Sequence, residues 1–128
     1  GSKHGAPWVI GIQDPIEFSN QAITNIVTDS FLAVATSGEY RNYSIDDSGI
    51  ASSHTFDPLT SQSIKNNVLS VTVSSKQSAM LADAWATLLN VMGSESGLEL
   101  AEKHQISVLY IINENNEVRF LKSSHWTH

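Results

Sequence analysis

No cysteine occurs among the 128 residues, which excludes at once a disulfide-stapled miniprotein, a cysteine-ligated zinc module and a thiol nucleophile. The same absence assigns no redox compartment. Basic side chains are scarce: 7 Lys and Arg face 13 Asp and Glu, for a formal charge of −6. Phosphate-directed nucleic-acid binding needs the opposite excess, so the balance argues against it. An anionic substrate would have to be met by a metal ion or by backbone donors. No apolar run nears the roughly 20 residues of a membrane helix. The opening Gly1-Ser2-Lys3-His4-Gly5 holds no apolar segment of the kind found in a signal peptide. The chain as given is expected to be soluble. Gly1-Ser2 resembles a cloning scar, and residues 1–6 are read as scar and leader. Internal repeats and low-complexity linkers are also lacking.

What is present suffices for one domain. The chain is 41% hydrophobic, and at this length a domain buries roughly two-thirds of its unfolded surface. A domain over 7–122 is expected, with 123–128 as a frayed tail. Trp8-Val9-Ile10-Gly11-Ile12 reads as a strand stopped by Asp14-Pro15. The β-branched stretch 22–35 reads as two strands, 22–28 and 31–36, paired as a hairpin or sequential in one sheet. Segments 40–45 and 50–56 form a further candidate pair around Asp46-Asp47-Ser48-Gly49. A long polar loop follows over 57–67.

The alternation in Leu69-Ser70-Val71-Thr72-Val73 predicts a strand with Leu69, Val71 and Val73 on one face. A helix is predicted over 77–92, capped by Ser74, Ser75 or Ser78 and closed by Gly93. Its apolar residues run nearly all the way round, so burial on most faces is expected, including Leu88 and Val91. Ser94 can cap a second helix to about His104. A buried-type strand over 107–112, a turn over 113–116 and a strand over 118–121 complete an α+β reading, a mixed or antiparallel sheet with two helices packed on it.

Three places can carry chemistry. Asp83, Thr87 and Asn90 fall at i, i+4 and i+7 of the first helix and share a narrow stripe. A carboxylate and a hydroxyl one turn apart suit a hard, oxygen-seeking cation such as Mg²⁺. A solvated Asp83 near the helix start, with Thr87 bonding back to a carbonyl, is the plainer reading of the pattern alone. His54, before Asp57-Pro58, has the side chain best suited to a general base near neutrality, or is an exposed strand histidine. Ser37-Gly38-Glu39-Tyr40 reads as a ligand-contacting turn or an ordinary strand end. His125 and His128, in H-x-x-H spacing, are taken as a fortuitous pair.

Taken in order, these segments resemble the C-terminal half of the FAD:protein FMN transferase (ApbE-type) family. Its sequences read SG-D/N-Y, H-I-I-D-P-x-T-G-x-P, S-V-T-V, M-x-A-D-A-x-A-T-A and V-M-G. The counterparts are Thr36-Ser37-Gly38-Glu39-Tyr40, His54-Thr55-Phe56-Asp57-Pro58-Leu59-Thr60, Ser70-Val71-Thr72-Val73, Met80-Leu81-Ala82-Asp83-Ala84-Trp85-Ala86-Thr87 and Val91-Met92-Gly93. PWVIGIQDP at 7–15 is similar to the family's PWxIGIxxP.

The resemblance implies Mg²⁺-dependent cleavage of FAD, with FMN transferred to a threonine of an acceptor flavoprotein of the respiratory or redox-pump type and AMP released. It implies Asp83 and Thr87 as metal ligands, His54 as base, and Gly38, Tyr40, His54 and Thr60 around the FAD. A periplasmic or lipoprotein-anchored location is implied as well. Leu59, Ser61 and Ser63 depart from the family's basic residue, glycine and proline. Family members are more than twice as long, so the N-terminal half is expected to be missing and a homodimer or domain-swapped assembly to be favoured. A non-catalytic flavin- or partner-binding module and an FAD pyrophosphatase are the alternatives.

Overall fold

The computed structural model describes residues 4–15, 21–38, 44–45, 51–52, 56–63, 66–115 and 117–128. Strands β1 (Trp8–Gln13) and β2 (Ala22–Thr28) form a two-stranded antiparallel sheet with Ile10 opposite Ile26. Strand β3 (Ala33–Gly38) belongs to another sheet. Two short antiparallel pairs follow, β4 (Ser44–Ile45) with β5 (Ala51–Ser52) and β6 (Phe56–Asp57) with β7 (Gln62–Ser63). The chain then enters β8 (Val68–Ser75), helices α1 (Ala79–Met92) and α2 (Ser94–Lys103), and strands β9 (Ser107–Glu114) and β10 (Glu117–Lys122). The four-stranded sheet runs β10-β9-β8-β3, antiparallel throughout. The architecture is α+β, as expected.

This central sheet is buried on both faces, which explains the nearly unbroken apolar run of β9. On one face Val71, Val73, Val108 and Tyr110 pack under Ala82, Ala86, Leu89 and Ala101 of the helices. On the other, Leu109 and Ile111 pack with Ile12 and Ile26 of the small sheet and with Trp126.

Several expectations are corrected. Strands β2 and β3 do not pair: β2 joins β1, whereas β3 joins β8. The apolar pattern shows that each segment is a strand but does not choose its partner. Leu69 does not share a face with Val71 and Val73, because the register shifts between Val68 and Ser70. Leu69 is the extra residue of that irregularity and packs with the second cluster.

Helix α1 is not covered all round. Its inward stripe is Ala82, Ala86 and Leu89, and the two alanines let the helix lie close over the sheet. Leu88 is 44% exposed and Met80 75% exposed, and Val91 is only half-buried. Asn90 is buried and so leaves the polar stripe it was expected to share. Ser94 is the first residue of α2, with Gly93 in the cap position, at φ 79°. That left-handed backbone suits glycine both as the stop of α1 and as the hinge into α2.

Residues 123–128 pack rather than fray. Trp126 and Ser123 are buried, and the Ser123 hydroxyl donates to the Ile106 carbonyl while accepting from the Val108 N–H. The Ser124 N–H and hydroxyl both donate to the Glu102 carboxylate. Those two hydrogen bonds, the side-chain one foremost, hold Glu102 below the ordinary carboxylate value.

Candidate active site

Helix α1 begins where the sequence signals it. The Ser78 hydroxyl accepts from the Leu81 N–H, and the Ser75 hydroxyl accepts from the N–H groups of Gln77 and Ser78. With the helix phase fixed by Ala82, Ala86 and Leu89 facing inward, Asp83 and Thr87 are both exposed, one turn apart. The carboxylate-hydroxyl pair is thus available to a ligand rather than consumed inside the core.

Strand β3 brings the second segment to this face. Its partner β8 sets the register, with Ser37 opposite Val71 and Gly38 opposite Ser70. A cross-strand contact of 2.9 Å between the Thr36 and Thr72 hydroxyls supports it. Helix α1 packs over both strands, and the Ser37 hydroxyl comes within 3.3 Å of the Thr87 hydroxyl. The Ser37-Gly38 end of β3 and the Asp83-Thr87 face of α1 therefore form one neighbourhood. The sequence marks Ser37 only as part of a turn and Thr87 only as part of a helix stripe; their meeting across fifty positions leaves no sequence signal.

Thr60 is exposed in the turn that joins β6 to β7, where Phe56 pairs with Ser63 and Asp57 with Gln62. The expected 57–67 loop is thus partly a small hairpin. Ser61 in that turn takes φ 55°, and Leu59 is 93% exposed. His54 and Tyr40 lie outside the described residues, so their place relative to Asp83 is not part of this geometry.

Asn66 escaped the sequence reading. Its side-chain amide donates to the Asn90 carbonyl at 2.9 Å and its carbonyl accepts from the Val68 N–H at 3.0 Å. It ties the segment leaving the small hairpin to the C-terminal turn of α1, where carbonyls lack helical partners. The His125–His128 pair does not act together: His125 lies 3.8 Å from Glu102, while His128 contacts Ser74 at 3.1 Å and packs edge-on against Trp126.

The donors present fit a hard cation. Among the described residues no three His, Asp or Glu side chains cluster as a self-sufficient metal cage. An exposed carboxylate with a hydroxyl one turn away suits Mg²⁺, which keeps several waters and commonly completes its shell with substrate phosphates.

Comparison with known proteins gives the family. The profile of the ApbE family matches residues 1–111. The chain is 42% identical to FAD:protein FMN transferase of Vibrio cholerae over 123 residues, covering 96% of this chain and 36% of that protein. It is 37% identical to the Escherichia coli K12 protein of the same name, covering 90% of this chain and 32% of that one. Among solved structures, the flavin transferase ApbE from Vibrio cholerae superposes with a TM-score of 0.79 at 39% identity, covering 98% of this chain and 39% of that one. The apo flavinyl transferase ApbE of Pseudomonas stutzeri gives 0.80 at 36% identity, covering 98% and 38%. The chain thus spans about a third of the length of the relatives it matches. Carrying the ordered motifs, the fold and the profile match together, this chain belongs to the ApbE family.

Proposed function

We propose that this chain is the part of an FAD:protein FMN transferase that carries the metal-binding helix face, with Asp83 and Thr87 as the protein's two ligands to Mg²⁺. The observation that carries the reading is the contact between Ser37 and Thr87, which sets the Ser37-Gly38 segment beside the Thr87 hydroxyl, one helical turn from Asp83. Bound there, Mg²⁺ would supply charge neutralisation on the pyrophosphate of FAD. Gly38, Tyr40 and Thr60 flank the flavin nucleotide in this reading.

In the reaction a phosphoanhydride bond of FAD breaks and an ester bond forms between the FMN phosphorus and the Oγ of an acceptor threonine. AMP departs with the electron pair of the broken bond. His54 takes the proton released by the threonine hydroxyl, as a general base near neutral pH. The acceptor is a flavoprotein, and the periplasmic face of a membrane is the proposed setting.

The relatives' additional length is proposed to complete the FAD pocket. Exposed Trp8, Val9, Val27 and Phe31 on and beside the small sheet offer apolar surface for that missing part, or for a second copy of this chain. A non-catalytic binding module would retain FAD without transfer. A pyrophosphatase would release FMN to water.

A chimera tests these readings: residues 7–128 replace the matching segment of the Vibrio cholerae relative, and transfer to a co-expressed acceptor is read as flavin fluorescence in a gel. His54→Ala should lower the rate by roughly 10²–10⁴-fold. An unchanged rate rejects His54 as base.

A further inference from the structure

A cleft of about 580 Å³ opens beside the N-terminal half of α1, lined on separate elements by Lys76, Trp85, His104, His125 and His128. Leu81 and Trp85 line it, two positions either side of Asp83, so the cleft occupies a different helix face from the Asp83-Thr87 pair. Its volume lies within the range of small-molecule sites.

The charge pattern is the informative part. The chain has 13 acidic residues and only 5 histidines, yet no Asp or Glu lines the cleft and His104, His125 and His128 all do. Lys76 adds a permanent cation from the turn before α1. The Glu102 carboxylate is engaged by Ser124 and stands 3.8 Å from His125. These histidines do not form a metal cage, since among the described residues no such cluster of three exists. They ring the opening from the end of α2 and from the C-terminal segment.

The walls also present aromatic surface. The Trp85 and His104 rings lie 5.4 Å apart at 44°, and Leu32, Leu81 and Ile106 contribute apolar lining. A planar ring can be held against such surface while an attached anion meets Lys76 and the imidazoles.

We propose that this cleft is a second binding site, for a small anion attached to an aromatic ring, separate from the face that carries Asp83 and Thr87. The proposal does not rest on the transferase reading. The Ser74 hydroxyl donates to Ser107 and thus accepts from His128 Nε2, leaving His128 Nδ1 without a role in that chain of bonds. Burial, and secondarily the Lys76 ammonium, hold the His128 imidazole below its ordinary value. An anion in the cleft reverses that, and its affinity rises as the pH falls and His128 gains a proton. Lys76 and Glu102 are the fixed charges facing the three imidazoles over that range.

The test titrates this chain with phenyl phosphate, inorganic phosphate and neutral benzyl alcohol, following backbone amides and imidazole signals by NMR. Phenyl phosphate should shift Lys76, Trp85, His104 and His128 together and bind about tenfold more tightly than inorganic phosphate or benzyl alcohol. Exposed Lys76 can be changed without touching the core, and Lys76→Gln should lower the affinity several-fold while the amide spectrum away from the cleft stays unchanged. Equal binding of benzyl alcohol and phenyl phosphate, shifts scattered over the surface, or full affinity in Lys76→Gln would each overturn the proposal.

Discussion

The Tyr110 hydroxyl occupies the space that a side chain at Gly97 would fill: a Cβ built on Gly97 overlaps it. That hydroxyl donates to the carbonyls of Leu89 at 3.0 Å and Gly93 at 3.2 Å. A residue of β9 thus supplies a donor where α1 ends and α2 begins, at carbonyls of which that of Gly93 also accepts from the Gly97 N–H, and the close approach of α2 there depends on glycine. Gly97→Ala should destabilise the fold by about 1–3 kcal/mol through overpacking. Tyr110→Phe should also destabilise it, by removing a buried hydrogen-bond donor from this junction. The double variant should cost less than the two single changes added, because removing the hydroxyl makes room for the methyl group. Urea denaturation of the four proteins measures this, and strict additivity contradicts the contact.

The C-terminal segment should make stability depend on pH. Burial, with Lys76 second, lowers the His128 value in the folded protein from the ordinary 6.5. The unfolded chain therefore binds more protons at this site as the pH falls below about 6.5, and folding loses stability until the folded value is passed. His128→Gln keeps an N–H for Ser74 and removes the titration. Its urea midpoint should fall less than that of the parent between about pH 7 and 5, and parallel curves would contradict this origin.

Ser61 should be a strained position. It stands where the family resemblance expects glycine and takes φ 55° in the turn between β6 and β7. A non-glycine residue in the left-handed region pays a steric cost that glycine does not. Ser61→Gly should stabilise that hairpin by several tenths to about 1 kcal/mol. Slower amide exchange at residues 56–63 would show it; faster exchange would contradict it.

Legibility in the sequence followed the range of the physics involved. Local signals carried well: Ser78 caps α1 and Gly93 ends it, and the run in β9 marked a strand buried on both faces. Asp83 and Thr87 were recognisable because a helix converts a spacing of four into a shared face. Pairings across distance did not carry. Nothing in 22–28 says that β1 is its partner, and nothing near Ser37 announces Thr87. Leu88 looked like core because hydrophobicity does not reveal which side of a helix lacks a neighbour. Trp126 looked like tail, since its burial depends on the far face of the central sheet. The place of His54, the expected base, falls outside the described residues.

The most direct test of the central claim measures FMN transfer, as a function of Mg²⁺, by the chimera carrying residues 7–128 and by its Asp83→Ala variant. Asp83 is exposed on α1, so the circular dichroism spectrum and thermal midpoint of the variant should stay near those of the parent. The account predicts Mg²⁺-dependent labelling of the acceptor by the parent chimera and none by the folded variant. Parental labelling at every Mg²⁺ concentration by the Asp83→Ala chimera would contradict it.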